Sequence, residues 1–272
     1  MTTARPDSVR VGMVQFAASN DKHMNIEKAL WMADEAADQG AQIVAFHEMF
    51  MLPWLFAETV THPDTSDRLD GAVWERFREL AQRRKLVLVC PFHEDAGDGH
   101  YYNTTLVIDA DGSNAGHYRK HHLPPDNERC HFSLGTDPIR GMDTQYGRIG
   151  VYICWDNFVP EGVRALALDG ANIVFSPSAA TDYPNRYRWE IALRANALTN
   201  SLYCVRLNRI EPPCYGQSFI ASPNGDYVVP PTKAVETVIV ALLDLTMIEK
   251  ERREWTYLAD RRPDQYAVLT QA

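Results

Sequence analysis

The sequence lacks the long apolar runs of a membrane protein, since no stretch reaches the roughly 18 residues that a spanning helix needs. Its first ten residues, MTTARPDSVR, also lack the apolar core of a secretory signal. Basic residues are in the minority, because 27 Lys and Arg face 36 Asp and Glu, for a net charge of −9. This balance argues against a nucleic-acid partner and favours a small or cationic one. We therefore expect a soluble, cytoplasmic protein with no membrane or nucleic-acid partner.

Paired cysteines are missing as well. The cysteine count is odd and no CxxC pair occurs, which indicates a reducing compartment rather than a disulfide framework. The nine histidines show no ligand spacing, so a metal site has little support. No Walker or dinucleotide glycine motif supports phosphate or nicotinamide chemistry. At least one thiol is therefore a candidate for chemistry, and the cysteines are Cys90, Cys130, Cys154, Cys204 and Cys214.

The chain contains alternating strand-like and helix-like segments. With 45% hydrophobic and 23% charged residues, it can bury one large core. We find no repeat or linker, which predicts one domain over residues 1–272 with layered α/β architecture, helices lying outside two sheets. The predicted strands are VRVGMVQF, AQIVAF, LVLVCPF, 148–153, NIVFSPS, LYCVRLN and TVIVALLDL, the predicted hairpins surround Asp111-Gly112 and Asn224-Gly225, and the predicted helices cover about 23–39, 72–84, 160–169, 185–199 and the tail.

Cys154 lies where the apolar run RIGVYIC meets a predicted helix N-terminus. Free backbone N–H groups and the helix dipole at such a position lower a thiol pKa and can also bind an oxyanion. The alternative is a buried structural cysteine, which is the more common case and suits Cys90 and Cys204 inside their strands. Local pattern leaves both interpretations of Cys154 open.

Glu48 and Lys120 are the candidate partners of such a thiol. Glu48 follows the apolar QIVAF and precedes MFMLPWLF, so desolvation there would raise its carboxyl pKa toward the range of a general base. A cap or salt bridge at a strand end explains it equally well. Lys120 ends the run HYRK, which is typical of a solvated strand edge but could also supply an oxyanion stabiliser.

These residues stand in three blocks that resemble the nitrilase superfamily, the carbon-nitrogen hydrolases. The blocks are AQIVAFHEMF, NTTLVIDADGSNAGHYRKHHLP and GRIGVYICWDNFVPEGVRALALDGANIVFSPSA, and the resemblance runs over nearly the whole chain. It implies a four-layer αββα sandwich and a homodimer or larger homo-oligomer. It implies neither a metal nor an organic cofactor. The apolar residues of the tail, from about residue 246, make that segment a candidate oligomer interface.

The resemblance also implies roles for individual residues. Cys154 matches the nucleophile, Glu48 the general base and Lys120 the stabiliser of the tetrahedral intermediate, helped by the backbone N–H of Trp155. Glu128 matches a second glutamate that holds the lysine. Many relatives have proline just before the first glutamate, whereas this chain has His47, which is either a spacer or a substrate contact.

Within the superfamily, CWDNFVPE, NRI and DRRPDQY are most similar to the N-carbamoyl-amine amidases. The expected substrate is then an N-carbamoyl amine or ureido acid that yields ammonia and carbon dioxide. The alternative enzymes are a nitrilase and an aliphatic or aromatic amidase of the same superfamily. The non-enzymatic alternative is a scaffold or binding protein on the same fold. The predicted pocket residues are Phe50 and Trp54 after the glutamate, Asp182 for a cationic substrate tail, and Arg186 or Arg188 for a carboxylate.

Overall fold

Two six-stranded sheets pack face to face in the computed structural model, which describes residues 6–53, 65–125, 128–181 and 183–271. The first sheet has the order β12-β1-β2-β3-β4-β5, with β1 Ser8–Gln15, β2 Ile43–Phe46, β3 Val87–Asp95, β4 Tyr101–Ile108, β5 Asn114–Arg119 and β12 Thr237–Asp244. The second has the order β11-β10-β9-β8-β7-β6, with β6 Met142–Thr144, β7 Gly147–Val151, β8 Ile173–Ser178, β9 Tyr203–Asn208, β10 Phe219–Ala221 and β11 Tyr227–Val229. The central strands β1–β3 and β7–β9 run parallel, and the outer strands pair antiparallel.

Strand β2 shows why both faces of a sheet need cover. Its four residues are all buried. Because side chains alternate along a strand, Ile43 and Ala45 join the core between the sheets, whereas Val44 and Phe46 join the core beneath the helices. The apolar run AQIVAF is therefore a strand with two buried faces.

Helices cover the outer faces and complete four layers. Helices α1 and α2 pack on the first sheet, and α4 and α5 on the second. The side chain of Asp21 caps α1 by accepting a 3.0 Å hydrogen bond from the Met24 amide. None of the helices in the described ranges is long and apolar enough to cross a membrane. The helices are α1 Lys22–Asp38, α2 Val73–Arg84, α3 Glu128–His131, α4 Pro160–Leu168, α5 Tyr187–Asn200 and α6 Thr246–Glu254.

The α/β sandwich predicted from the sequence is confirmed, with local differences. Strand β7 ends at Val151 rather than 153, and Cys154 begins a 3₁₀ turn, Cys154–Phe158, before α4 starts at Pro160. The short strand β6 and the short helix α3 were not predicted, since segments of three or four residues show no periodicity. Further 3₁₀ turns are Tyr183–Asn185, Thr256–Leu258, Pro263–Gln265 and Ala267–Thr270.

The tail after β12 consists of α6 and three of these 3₁₀ turns. Apolar side chains on it face outward: Trp255 is 61% exposed, Val268 70% and Leu269 63%. An oligomer interface on this segment, and a single domain over the whole chain, stay predictions.

Candidate active site

The candidate site lies where strands of both sheets end. Glu48 follows β2 and Lys120 follows β5, both in the first sheet, whereas Cys154 follows β7 in the second. Glu128 is the first residue of α3. The structure brings these four sequence-predicted residues together, because the carboxylates of Glu48 and Glu128 and the ammonium of Lys120 all act electrostatically on the Cys154 thiol.

A buried lysine joins the two glutamates. Lys120 Nζ donates to Glu48 Oε1 at 3.0 Å and to both carboxylate oxygens of Glu128, at 2.9 and 2.7 Å. Asn103 Nδ2 donates to the same Glu48 oxygen at 2.7 Å. The other oxygen, Glu48 Oε2, is buried and has no hydrogen-bond partner among the described residues. A buried carboxylate oxygen with free lone pairs is well suited to accept a proton.

The two carboxylates keep the lysine charged. Burial would lower the pKa of Lys120, but the negative charges of Glu128 and Glu48 outweigh it and hold that pKa well above its ordinary value. Lys120 is therefore a fixed cation at neutral pH. Its three N–H donors all point at these carboxylates, so a donor for an anion becomes available when one of the two bonds to Glu128 opens.

The thiol of Cys154 differs from the sequence-based expectation. Burial raises the pKa of Cys154 well above its ordinary value, and the Glu48 carboxylate raises it further, while Lys120 and a hydrogen bond from the Ala179 backbone act in the opposite direction. Of the two interpretations that the sequence left open, a thiol pKa lowered at a helix N-terminus is not what the structure gives, because burial and Glu48 outweigh the local backbone amides. The resting sulfur is a neutral thiol.

The backbone of Cys154 is strained. Its φ is 46°, in the left-handed region that residues other than glycine rarely adopt. Asn157 holds this turn, since its Nδ2 donates to the carbonyl oxygens of Tyr152 at 2.8 Å and Cys154 at 3.0 Å. A sharp turn of this kind after a strand exposes a nucleophile to a cavity, as in the strand-to-helix turn of serine hydrolases.

Asp156 connects the Cys154 turn to the first sheet. This fully buried carboxylate accepts hydrogen bonds from the Ile153 amide at 3.0 Å, the Tyr118 hydroxyl at 2.8 Å and the His122 amide at 2.8 Å. Tyr118 and His122 flank Lys120 in sequence, so Asp156 ties the lysine segment to the cysteine turn. Asp156 was expected in the turn after Cys154, but its contacts with the lysine segment and the role of Asn103 have no local signal in the sequence.

A cavity of about 420 Å³ opens beside Cys154 and Glu128. Part of its wall is an aromatic cluster, in which Phe158 packs against Trp155 at 5.3 Å and against Trp189 at 4.6 Å between ring centroids. The lining residues are Pro124, Glu128, Cys154, Trp155, Phe158, Ala179, Ala180, Thr181, Asn185, Arg188 and Trp189. In the described ranges no group of three or more His, Cys, Asp or Glu side chains is arranged to hold a metal ion.

The predicted pocket residues are only partly found there. Phe50 is a correction: it is fully buried beneath the helices and stacks on Phe46 at 4.5 Å, so it packs the core and does not line the cavity. Arg186 precedes α5 and is half-buried, and it is Arg188 that lines the cavity. Trp54 and Asp182 lie outside the described residues.

His47 is buried beside Glu48 and does not line the cavity. Its ring lies 4.7 Å from that of Phe16, and its Nδ1 is 3.4 Å from the Glu48 carbonyl oxygen. Burial, followed by the charge of Arg209, holds the pKa of His47 well below its ordinary value. The ring is therefore neutral, and it acts as a spacer in the turn rather than as a wall of the cavity.

Comparisons with known proteins identify the family of this chain. The carbon-nitrogen hydrolase family matches residues 10–253. N-carbamoylputrescine amidase of Arabidopsis thaliana is 34% identical, over 98% of this chain and 97% of the relative. Citrullinase of Francisella tularensis is 30% identical, over 95% and 97%. The crystal structure of a carbon-nitrogen hydrolase from Helicobacter pylori superposes with a TM-score of 0.91 at 27% identity, covering 98% of this chain and 99% of that one. The chain therefore belongs to the carbon-nitrogen hydrolase family, as its three sequence blocks predict, and is an amidohydrolase.

Proposed function

We propose that the chain hydrolyses a C–N bond through a thioester on Cys154, with Glu48 as the general base. The observation that carries this proposal is the unpartnered Glu48 Oε2, a buried acceptor on a carboxylate that acts electrostatically on the Cys154 thiol. A neutral thiol needs such a base before its sulfur can attack. Lys120, fixed against the other oxygen of Glu48, supplies the positive charge.

The reaction begins when the Cys154 thiol proton moves to Glu48 as the sulfur attacks the substrate carbonyl carbon. The carbonyl π electrons move to oxygen, and the resulting oxyanion is stabilised by Lys120 Nζ and by the backbone N–H of Trp155. When the C–N bond breaks, Glu48 returns the proton to the leaving nitrogen, which departs as ammonia. Water then attacks the acyl-enzyme with Glu48 as base, and the sulfur leaves as the thiol.

Glu128 fixes the position of the lysine for this work. It binds Lys120 Nζ through both oxygens, at 2.9 and 2.7 Å, which restrains an otherwise flexible side chain. When Lys120 gives up one of its two bonds to Glu128, one N–H of the ammonium becomes available to the oxyanion. Glu128 also lines the cavity, where it can assist proton transfer to the leaving group.

A ureido compound is the substrate class that we favour. The two relatives described above are named for substrates that carry a ureido group. Loss of ammonia from that group leaves a carbamoyl-enzyme, and water releases a carbamate that decomposes to an amine and carbon dioxide. The cavity of about 420 Å³ has the size of a site for one small molecule.

A screen for ammonia release over ureido acids, ureido amines, amides and nitriles tests the proposal. We expect the highest kcat/KM for a ureido compound, and no turnover after Cys154→Ala. Cys130→Ala is the matched control, because it removes an exposed thiol and should leave the rate unchanged. Turnover by Cys154→Ala would refute the thioester route, and a preference for nitriles would identify the chain as a nitrilase.

A further inference from the structure

The turn that carries Glu48 is strained. Met49, directly after the glutamate, has a φ of 50° although it is not glycine. The residue is almost fully buried, with 5% of its surface exposed. A left-handed conformation at a buried side chain persists only where surrounding groups hold it.

Arg209 holds this turn from the opposite sheet. It follows β9, and its Nη1 donates to the carbonyl oxygens of Glu48 and Met49, each at 2.9 Å. Its Nη2 donates to the carbonyl oxygen of Leu52, and the Glu211 carboxylate neutralises its charge. The arginine is fully buried, so its bonds lie in a low-dielectric environment where they are strong.

The backbone of Arg209 is fixed in turn to the segment beside the nucleophile. Its N–H donates to the Ser178 carbonyl oxygen at 3.3 Å, and its own carbonyl oxygen accepts from the Gly216 amide at 2.8 Å. The next residue after Ser178 is Ala179, whose backbone amide acts on the Cys154 thiol and lowers its pKa. Hydrogen bonds therefore run from Ser178, next to the residue that acts on the sulfur, through Arg209 to the backbone of Glu48.

We propose that Arg209 is a positioning residue that sets the place of Glu48 relative to Cys154 across the two sheets. The inference rests on the proposed function, in which Glu48 is the base. Cores of apolar side chains hold the sheets together, but they do not fix the angle of one turn. A planar guanidinium carries its five N–H donors in a rigid fork, so Arg209 engages three carbonyl oxygens in one fixed geometry, which the compact ammonium on a flexible lysine chain does not impose.

Replacing Arg209 by Lys tests the inference. A misplaced base should lower kcat by about 10- to 100-fold, whereas KM should change by less than about twofold because the cavity walls are intact. Arg148→Lys is the control, since Arg148 also donates to a backbone carbonyl, that of Asp169 at 2.7 Å, but lies at the start of β7, the end remote from Cys154. We expect that variant to keep full activity. A proportional rise in KM, or an unchanged kcat, would overturn the inference.

A double-variant experiment separates positioning from general loosening. Because the Glu48 charge raises the pKa of Cys154, moving Glu48 away should lower the pH at which Cys154 is half-alkylated by iodoacetamide, followed by peptide mass spectrometry. Arg209→Lys should produce this shift in the natural protein and no further shift on top of Glu48→Gln. An equal shift in both backgrounds would show that Arg209 acts only by stabilising the fold.

Two further variants keep the outcomes distinguishable. Glu211→Gln leaves the guanidinium in place but removes its ion pair, so it should lower kcat in the same direction by a smaller factor if Arg209→Lys fails to fold. Unchanged kcat in Glu211→Gln would then count against the inference. Full activity in Glu48→Gln would refute the proposed base itself, whereas an inactive Glu48→Gln beside a normal Arg209→Lys would refute only the role of Arg209.

Discussion

Replacing Lys120 by Met should reverse the sign of the change in unfolding free energy that Glu128→Gln causes. Lys120→Met keeps most of the side-chain volume but leaves two buried carboxylates without their cation, a loss that typically costs about 3 to 5 kcal/mol of unfolding free energy. Both carboxylates contact Nζ, at 3.0 and 2.7 Å, so their nearest oxygens cannot be far apart. At a separation of about 6 Å and an effective dielectric constant of about 20, their repulsion is about 3 kcal/mol.

Glu128→Gln should therefore destabilise the natural protein, where it removes an attraction, and stabilise Lys120→Met, where it removes that repulsion. Urea denaturation of the four proteins at pH 8 measures the cycle. Because the pKa of Lys120 is raised on folding, its charge stabilises the fold in full below its unfolded-state pKa of about 10.4 and is lost only as the pH rises through the folded value. If the two substitutions destabilise additively, Lys120 stabilises the site by packing rather than by charge.

Three further outcomes follow from individual contacts. Because burial raises the pKa of Cys154, only the unfolded chain loses this proton above about pH 8.5, and this group lowers the unfolding free energy there by up to about 1.4 kcal/mol per pH unit. Cys154→Ala should therefore flatten the slope of unfolding free energy against pH between pH 9 and 10. An unchanged slope would show that the Cys154 thiol is not protected by burial. A Cβ at Gly135 would lie 2.3 Å from the Arg119 carbonyl oxygen, so Gly135→Ala should cost about 1 to 3 kcal/mol or more in the same denaturation assay. Arg188 lines the cavity and forms no ion pair with a described residue. Arg188→Glu should therefore lower kcat/KM for a ureido acid, relative to kcat/KM for a ureido amine, by about tenfold or more. A ratio unchanged from the natural protein would place Arg188 outside the substrate contacts.

The sequence predicts much of the fold because the buried strands have strong local signals. The run AQIVAF has two buried faces and ends where Glu48 follows, so the strand and the place of the carboxylate were both predictable. Phe50 was misplaced for a related reason: an aromatic residue after a candidate base looks like a pocket wall, yet it stacks on Phe46 in the core. A strand or helix can be predicted from the sequence only where the apolar pattern is long enough to show a period.

The site was less predictable, because its contacts join distant parts of the chain. Asn103 reaches Glu48 across 55 residues and Arg209 reaches it across 161, and no local periodicity encodes such pairs. Lys120 could not be distinguished from a solvated strand residue by its neighbours in HYRK, and only the resemblance to a family assigned it a role. The pKa of Cys154 could not be decided from local pattern, because the largest influences on it, burial and Glu48, come from the tertiary structure.

The neutral resting thiol is compatible with the proposed mechanism, in which a buried sulfur is the nucleophile. A permanent thiolate at Cys154 would place a third anion beside Glu48 and Glu128, against the single cation of Lys120, in surroundings that penalise uncompensated charge. Transfer of the thiol proton to Glu48 leaves the total charge of the set unchanged, since one anion replaces another. The charge that then develops on the substrate oxygen can be stabilised by the Lys120 N–H that is released when one of its two bonds to Glu128 opens. Burial, which would disable an isolated thiolate, thus favours a mechanism in which the sulfur becomes anionic only while it attacks.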